Sequence, residues 1–221
     1  MPGQPLERTQ NTNHAVRNSL YLKILLGYLK LIRLVGTVVN LQQAGQLDGA
    51  LRKHRQVLEI YKDLLLGEND ICTTNVYQYI GSIVSYKGLY DESLVEHRKA
   101  LKICWLILGE NNRYTAISYD SIGCVLYDQG RHDDALIGLG KALTLRITLF
   151  GENRMGTSIT YSNIGDVLIE KLQHEEALEK LCKAEAIFKR VSGENHQTTV
   201  RLTKNIDDLA KAYQLETAAQ F

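Results

Sequence analysis

The chain has 221 residues, a formal net charge of +1 and 44% apolar residues. So small a net charge creates no broad field that would attract nucleic acid or an acidic membrane, and neither partner is expected. The only prolines, Pro2 and Pro5, leave the rest of the chain free to be helical.

The cysteines point to a reducing compartment. They show no Cys-x-x-Cys pairing and lie in apolar helical patterns, so we expect reduced, buried thiols. No secretory signal precedes them, and the location predicted is therefore cytoplasmic. The four positions are Cys72, Cys104, Cys124 and Cys182.

One short phrase recurs through the chain. Leu-Gly-Glu-Asn at 66–69 returns at 108–111, then as Phe-Gly-Glu-Asn at 150–153 and Ser-Gly-Glu-Asn at 192–195. The four glycines are each 42 positions apart. A constant period of this length is typical of stacked repeat proteins.

The region before the second repeat is the least regular. Residues 1–17 are polar and are predicted to be disordered, and 18–66 form an atypical first repeat. Its apolar stretch from Leu20 to Leu41 contains Lys23, Lys30 and Arg33. Each charge would cost about 2.5–3.5 kcal/mol at a bilayer centre, so a packing helix is favoured over a membrane span. Alignment from its two ends differs by 13 residues, which predicts an insertion at 25–37 that lengthens helix A.

Residues 67–197 are predicted to form regular repeats, each with a helix A, a tight turn, a helix B and the Gly-Glu-Asn loop. Apolar residues of helix A recur at i, i+3 and i+7, on one helical face. A glycine follows the central isoleucine at Gly81, Gly123 and Gly165. Glycine inside a helix costs about 1 kcal/mol relative to alanine, so its recurrence predicts a neighbouring helix too close for a Cβ atom.

The helix ends carry recognisable signals. Acidic pairs open each helix B, where they suit the positive end of the helix dipole. The glycines of the repeated Gly-Glu-Asn phrase are placed to end helix B with positive φ. Asp70 and Asn112 are predicted N-caps of the next helix A. In the last turn, Leu172 replaces the glycine of the earlier copies.

A final helix A is predicted at 198–216, followed by a tail at 217–221. Asp207 stands where earlier copies have glycine, and its flanks are charged. A polar outer face of this kind is typical of the helix that caps a repeat array. The fold predicted is all-α, a right-handed α-solenoid of helix-turn-helix repeats.

Tyr-x-x-Ile-Gly in helix A, the glycine turn, Ala-Leu in helix B and the Gly-Glu-Asn linker resemble tetratricopeptide repeats. The likeness is to the 42-residue kind of kinesin light chains and nephrocystin-3-like proteins, over about residues 34–215. The His-Pro that follows Gly-Glu-Asn in that family is missing, although His196 keeps half of it. No heptad coiled coil precedes the repeats, so the chain is not an intact kinesin light chain.

No catalytic, cofactor or metal motif is evident. His54 and His97 occupy matching positions in helix B, which repeat descent explains. No cysteine or carboxylate completes a ligand spacing around them. We therefore expect no enzyme activity, no cofactor and no metal.

The resemblance implies that the A helices line a concave groove that binds a peptide segment. The chain would then be a non-enzymatic adaptor; the alternative is a structural fragment of a larger repeat array or complex with no groove ligand. The family's groove positions fall on Asn75, Gln78, Tyr79, Ser82, Tyr86, Asp120, Ser121, Tyr127, Asp128, Ser162, Asn163, Asp166, Glu170, Arg201, Lys204 and Asn205, with Ser85, Cys124 and Ile169 beside them.

Charge along this groove indicates the kind of ligand. Only Asn163, Asn205, Lys204 and Arg201 approach the family's carboxylate clamp, at the C-terminal end. The middle of the groove is acidic, and equivalent acids such as Asp128 and Glu170 lie 42 positions apart on adjacent A helices. We therefore expect a peptide with basic residues beside an apolar or aromatic anchor.

Overall fold

The computed structural model describes residues 45–64 and 70–218, together with helical positions at 26, 27, 29, 30, 34, 37 and 41. Within these residues the chain is entirely helical apart from its turns and loops. Eight continuous helices are described: α1 (Leu47–Leu64), α2 (Ile71–Tyr86), α3 (Tyr90–Leu108), α4 (Arg113–Asp128), α5 (His132–Phe150), α6 (Met155–Glu170), α7 (His174–Ser192) and α8 (Gln197–Ala218).

The helices pack in the order in which they occur. The tightest packing joins α2 to α3, α4 to α5 and α6 to α7, and each pair packs on the next. Helix A is therefore α2, α4, α6 or α8, and helix B is α1, α3, α5 or α7. The predicted all-α solenoid of helix pairs is confirmed.

The glycine at the centre of helix A lets its helix B approach closely. A Cβ atom on Gly165 would lie 2.6 Å from Leu181 Cγ, and one on Gly123 would lie 2.7 Å from Leu139 Cγ. At Gly81 the obstructing group is the imidazole of His97, with Nε2 at 2.7 Å. The predicted close approach of the two helices is confirmed in all three repeats.

The helix ends follow the sequence signals. Asp70 accepts a hydrogen bond from the Cys72 amide, and Asn112 accepts from the amides of Tyr114 and Thr115. The phrase glycines at 109, 151 and 193 all have positive φ. The predicted caps are confirmed there, while Gly67 lies outside the described residues.

Side-chain hydrogen bonds recur between neighbouring repeats. Residues that follow helix A bond the first turn of the preceding helix B: Lys87 to Asp48, Gln129 to Asp91 and Lys171 to Asp133. Adjacent A helices are joined in the same periodic way by Gln78 to Ser118 and Thr160 to Asp120. Each repeat is thus held in register with the previous one at two levels.

One of the loop glutamates, Glu152, has a structural role. Tyr161 of α6 donates a hydrogen bond from its hydroxyl to Glu152 Oε1 at 2.8 Å. The ring of Tyr161 is buried and lies 5.8 Å from Lys183 Nζ. Glu152 therefore attaches the Gly-Glu-Asn loop to the helix that follows it.

The prediction for the cysteines was only partly right. Cys104 is buried and Cys124 is half-buried, but Cys72 and Cys182 are exposed. Cys72 belongs to the first turn of α2 and Cys182 to the outer face of α7, away from the sides that contact other helices. All four thiols are free.

The N-terminal predictions lie largely outside the described residues. Residues 1–17, where disorder is predicted, lie outside the described residues. Only scattered positions of the insertion at 25–37 are described, and all of them are helical. At the other end, α8 continues to Ala218, into the predicted tail. None of the helices described is long and apolar enough to cross a membrane.

Candidate functional site

The A helices form the inner wall of the solenoid. Besides contacting their own B helices, α2 touches α4 and α4 touches α6. Among the described helices, no two B helices contact each other in this way. Since the A helices lie closer together than the B helices, the chain curves around the A face, which is concave.

A cavity of about 560 Å³ opens on this concave face across α2, α4 and α6. It brings together part of the predicted groove. The predicted residues that line it are Ser82, Ser85, Tyr86, Asp120, Ser121, Cys124, Asp128 and Asn163.

Four lining residues were missed by the sequence reasoning: Tyr90, His97, Val125 and Ile159. Ile159 could have been found, because it is the equivalent of Arg201 one repeat earlier, which was included. His97 belongs to helix B and reaches the groove only because Gly81 leaves room for its ring. Ile159, which is 44% exposed, adds apolar surface to an otherwise polar wall, whereas Val125 is buried at its base.

Several predicted groove residues use their polar groups in hydrogen bonds within the protein. Gln78 donates from Nε2 to Ser118 Oγ at 2.6 Å, and its Oε1 lies 2.8 Å from His97 Nδ1. Asn163 donates to Cys124 Sγ at 3.3 Å. These amides position the wall and are less available to a ligand.

Asp120 is also committed within the protein. It is buried, and its carboxylate is held by Arg146 of α5 and by the hydroxyl of Thr160. Burial raises the pKa of Asp120, while Arg146 and Thr160 act in the opposite direction. Asp120 lines the cavity but does not present a free negative charge to it.

The remaining acids surround Tyr127. Burial, followed by the charges of Glu170, Asp166 and Asp128, raises the pKa of the Tyr127 hydroxyl. All three carboxylates therefore lie close enough to Tyr127 for their charges to act on its hydroxyl. Asp166 is exposed, yet partial desolvation by the concave wall raises its pKa against the pull of Arg201.

The tyrosines differ in exposure. Tyr86 is 82% exposed at the end of α2 and lines the cavity. Tyr79 is 52% exposed and stacks on the buried imidazole of His54, with ring centroids 5.1 Å apart. Tyr127 is half-buried and contacts the His132 ring at 5.9 Å.

The clamp-like residues at the C-terminal end do not converge. Arg201 acts on Asp166 across the groove. Lys204 instead lines a separate cavity with Lys189 of α7 and Asp207. Arg201 and Lys204, which could bind a terminal carboxylate, therefore belong to two different sites.

The other predicted positions lie on the A helices outside the cavity. Asn75 and Asn205 are exposed, Ser162 is half-buried, and Glu170 is exposed at the end of α6. Among the described residues, no group of three or more His, Cys, Asp or Glu side chains is placed to hold a metal ion.

Comparison with protein families identifies the architecture. The tetratricopeptide repeat model matches residues 70–148 and 125–190, more than half of the chain. The chain belongs to the tetratricopeptide repeat family. Tetratricopeptide repeats generally mediate contacts between proteins and are generally non-enzymatic, and the resemblance seen in the sequence is confirmed.

Solved structures of similar fold include BtubC (BKLC) from P. vanneervenii, with a TM-score of 0.73 and 18% identity over 91% of this chain and 82% of that one. Another is a Podosopora anserina protein assigned as a kinesin light chain, with nearly identical TPR-like repeats. It has a TM-score of 0.69 and 15% identity over 86% of this chain and 90% of that one. No curated protein matches the sequence. At these identities the likeness shows a shared kinesin-light-chain-like repeat fold.

Proposed function

We propose that this tetratricopeptide repeat protein is a non-enzymatic adaptor that holds a peptide segment of a partner protein in its concave groove. The observation that carries the proposal is the cavity of about 560 Å³ on the A-helix face. Its wall combines the exposed aromatic ring of Tyr86, apolar Val125 and Ile159, and the carboxylate of Asp128. Concave sites that join apolar surface to a few polar groups are the usual form of ligand sites.

The charge of the groove supports a peptide with basic residues. Asp128, Asp166 and Glu170 act together on Tyr127, and Asp120 is already neutralised by Arg146. A lysine or arginine side chain near Asp128 would be attracted by the negative charges of these three acids. The nearby face of Tyr86 would add a cation–π contact.

Charge should decide preference more than affinity. An exposed ion pair contributes about 0.2–1 kcal/mol, and complementary charge mainly raises the association rate. The exposed apolar surface of Ile159 supports an apolar or aromatic anchor beside the basic residue. We expect the apolar anchor to determine how tightly a peptide binds, and the acidic residues to determine which peptides are preferred.

We place the adaptor in the cytoplasm, because all four cysteines are free thiols. Free thiols are the rule in reducing compartments.

The alternative is a structural fragment of a larger repeat array or complex with an empty groove. It is favoured by apolar side chains at the C-terminal ends of the B helices, where Leu106 is 62% and Phe150 43% exposed. Asp207 stands on α8 at the position where the earlier A helices have glycine. The alternative would use the ends of the B helices and leave the groove free.

A fluorescence-anisotropy titration tests the proposal. Pools of Lys/Arg-rich and Asp/Glu-rich peptides are titrated at low and high salt into the wild type and Tyr86→Ala/Asp128→Asn. The matched control is Glu179→Gln, which removes an exposed acid from α7 on the outer face. Circular dichroism establishes that each variant is folded.

We expect the basic pool to bind more tightly, with a preference that falls as salt rises. The groove variant should lose most of this binding, and the Glu179→Gln control should keep it. Equal binding of both pools, or equal loss in both variants, would favour the structural alternative.

A further inference from the structure

A second cavity lies on the outer face, away from the groove. It has a volume of about 270 Å³ and opens between the B helices α1 and α3, over Tyr77 of α2. We name it the basic furrow after the cations that line it: Arg55 and Lys62 from α1, and Lys99 and Lys102 from α3. Among the described residues that line it, Glu96 is the one acid.

The repeat itself offers a comparison. In the next repeat Trp105 stands in place of Lys62, and Thr144 in place of Lys102. Arg98 and Lys141 keep the other two cationic positions. Repeat descent therefore explains two of the four cations, and the other two are particular to the basic furrow.

The existing partners of these cations are exchangeable. Arg55 pairs with Glu92 at 2.9 Å, Lys62 with Glu59 at 3.3 Å and Lys99 with Glu96 at 2.9 Å. Within the described part of the chain, Lys102 is exposed and forms no ion pair. Surface pairs of this kind contribute about 0–1 kcal/mol, so a more highly charged anion can replace them.

We propose that the basic furrow binds a phosphate group on a serine or threonine of a partner protein. A phosphate monoester carries about −1.5 to −2 charges and three strong acceptor oxygens. It can therefore engage cations from both helices at once, including two hydrogen bonds from the planar guanidinium of Arg55. The carboxylates that pair with three of these cations carry one charge each, whereas a phosphate brings about two charges to one point.

The shape of the site favours a peptide over other phosphates. The furrow is recessed between two helices, so a single extended chain can enter it while a flat membrane surface cannot follow its shape. A duplex nucleic acid presents a charge every ~1.7 Å and requires a long basic surface. The next furrow, with its tryptophan and threonine, interrupts any such surface.

The test uses three pools of peptides that differ at one fixed position: phosphoserine, serine or glutamate. Each is titrated into the wild type and into Lys62→Trp/Lys102→Thr, which gives the basic furrow the residues of the next one. The reciprocal variant, Trp105→Lys/Thr144→Lys, gives the second furrow the cations of the first. Inorganic phosphate alone is a further probe.

We expect the phosphoserine pool to bind about tenfold more tightly than the other two, and the first variant to lose that advantage. The reciprocal variant should gain a second phosphoserine site, which raises the stoichiometry. Methyl NMR reports the location: Ile80 and Ile103, which line the basic furrow, should shift with phosphoserine, while Ile122 should not. The result of the reciprocal variant is used only if its circular dichroism spectrum matches that of the wild type. If the spectra differ, Lys62→Trp/Lys102→Thr alone decides between the outcomes.

The proposal is overturned if the phosphoserine and serine pools bind equally, or if Lys62→Trp/Lys102→Thr leaves the preference unchanged. If the glutamate pool binds as tightly as the phosphoserine pool, the site recognises carboxylates in general, and the proposal is also overturned. Saturation by inorganic phosphate without any preference for the phosphoserine pool would also overturn it. Binding that disappears in Tyr86→Ala/Asp128→Asn instead would place the phosphate in the groove, so the two sites are told apart.

Discussion

Gly123 of α4 and Leu139 of α5 meet where the two helices of one repeat cross, and a Cβ atom on Gly123 would lie 2.7 Å from Leu139 Cγ. Leu139 is fully buried and has little freedom to move aside. We expect Gly123→Ala to lower the free energy of unfolding by about 1–3 kcal/mol, as overpacked cores do. Urea denaturation measures the change.

Gly140, on the same α5, supplies the control. Nothing lies within 4 Å of a Cβ atom added there. Gly140→Ala should raise the free energy of unfolding by about 0.5–1 kcal/mol, because alanine loses less backbone entropy in a helix. A loss of similar size in both variants would show that helix crossing is not what selects glycine at 123.

Leu172 occupies a left-handed backbone conformation in the last turn, with φ of 58°. The equivalent Gly130 has φ of 77°, and Leu172 is 76% exposed, so its side chain contributes little packing. A non-glycine residue in this region costs about 1–2 kcal/mol. Leu172→Gly should therefore raise the midpoint of thermal unfolding, by an amount that corresponds to about 1 kcal/mol in the free energy of unfolding.

The reverse change is the control for this turn. Gly130→Leu introduces the same strain in the previous repeat and should lower the midpoint by a similar amount. If Leu172→Gly destabilises the protein instead, the turn is not strained.

Arg146 compensates a buried carboxylate. Its side chain is 16% exposed and that of Asp120 11%. Arg146→Met leaves Asp120 buried without a counter-charge, and we expect a loss of about 3 kcal/mol at neutral pH. Chemical denaturation of Arg146→Met and of Asp120→Asn/Arg146→Met gives the comparison, and the double variant should lose less.

The same pair predicts a pH dependence. Burial already raises the pKa of Asp120 above 3.8, and removing Arg146 takes away an opposing influence. Since the folded pKa exceeds the unfolded one, protonation favours the folded state and stability falls as pH rises through the folded pKa. The deficit of Arg146→Met relative to wild type should therefore shrink as the pH is lowered from neutral toward that pKa. A deficit independent of pH would mean that lost packing, not charge, is the cause.

Tyr161 should ionise late in an alkaline titration. Burial, then the hydrogen bond to Glu152, raises its pKa from 10.0 to about 12. Because the folded pKa is the higher one, the stability linked to Tyr161 is complete below pH 10 and is lost as the pH rises through 12. Tyr161→Phe should remove this part of the alkaline decline, measured by denaturation over that range. Glu152→Gln should lower the pKa, and tyrosinate absorbance that is the same in wild type and Glu152→Gln would contradict the contact.

Much of the fold could be predicted because the repeat shows each signal several times. Gly81 alone would be ambiguous, but glycine at the same position in three copies could be read as a helix crossing. The caps at Asp70 and Asn112 follow from local chemistry, which acts within a few residues. Exposure of Cys72 and Cys182 was missed because an apolar residue type does not specify which side of a helix faces its neighbours.

The candidate site was harder to predict because it depends on contacts between repeats. The family resemblance placed Asp120 on the groove face, but it did not predict the ion pair with Arg146 from helix B. Likewise, the sequence predicts that Gln78 is available to a ligand, but in the structure its amide is hydrogen-bonded to Ser118 and His97. The four cations of the basic furrow come from two separate helices, and no single segment reveals them.

Site-specific photocrosslinking tests the central claim, binding of a basic peptide in the concave groove, most directly. A photoreactive phenylalanine analogue replaces Tyr86 in the groove or, as control, Ile137, which is 60% exposed on α5. Each protein is irradiated with the same Lys/Arg-rich peptide pool at low and high salt. We predict efficient crosslinking from position 86 that falls with salt, and little from position 137. Equal yields from the two positions, or crosslinking from position 137 alone, would contradict the account.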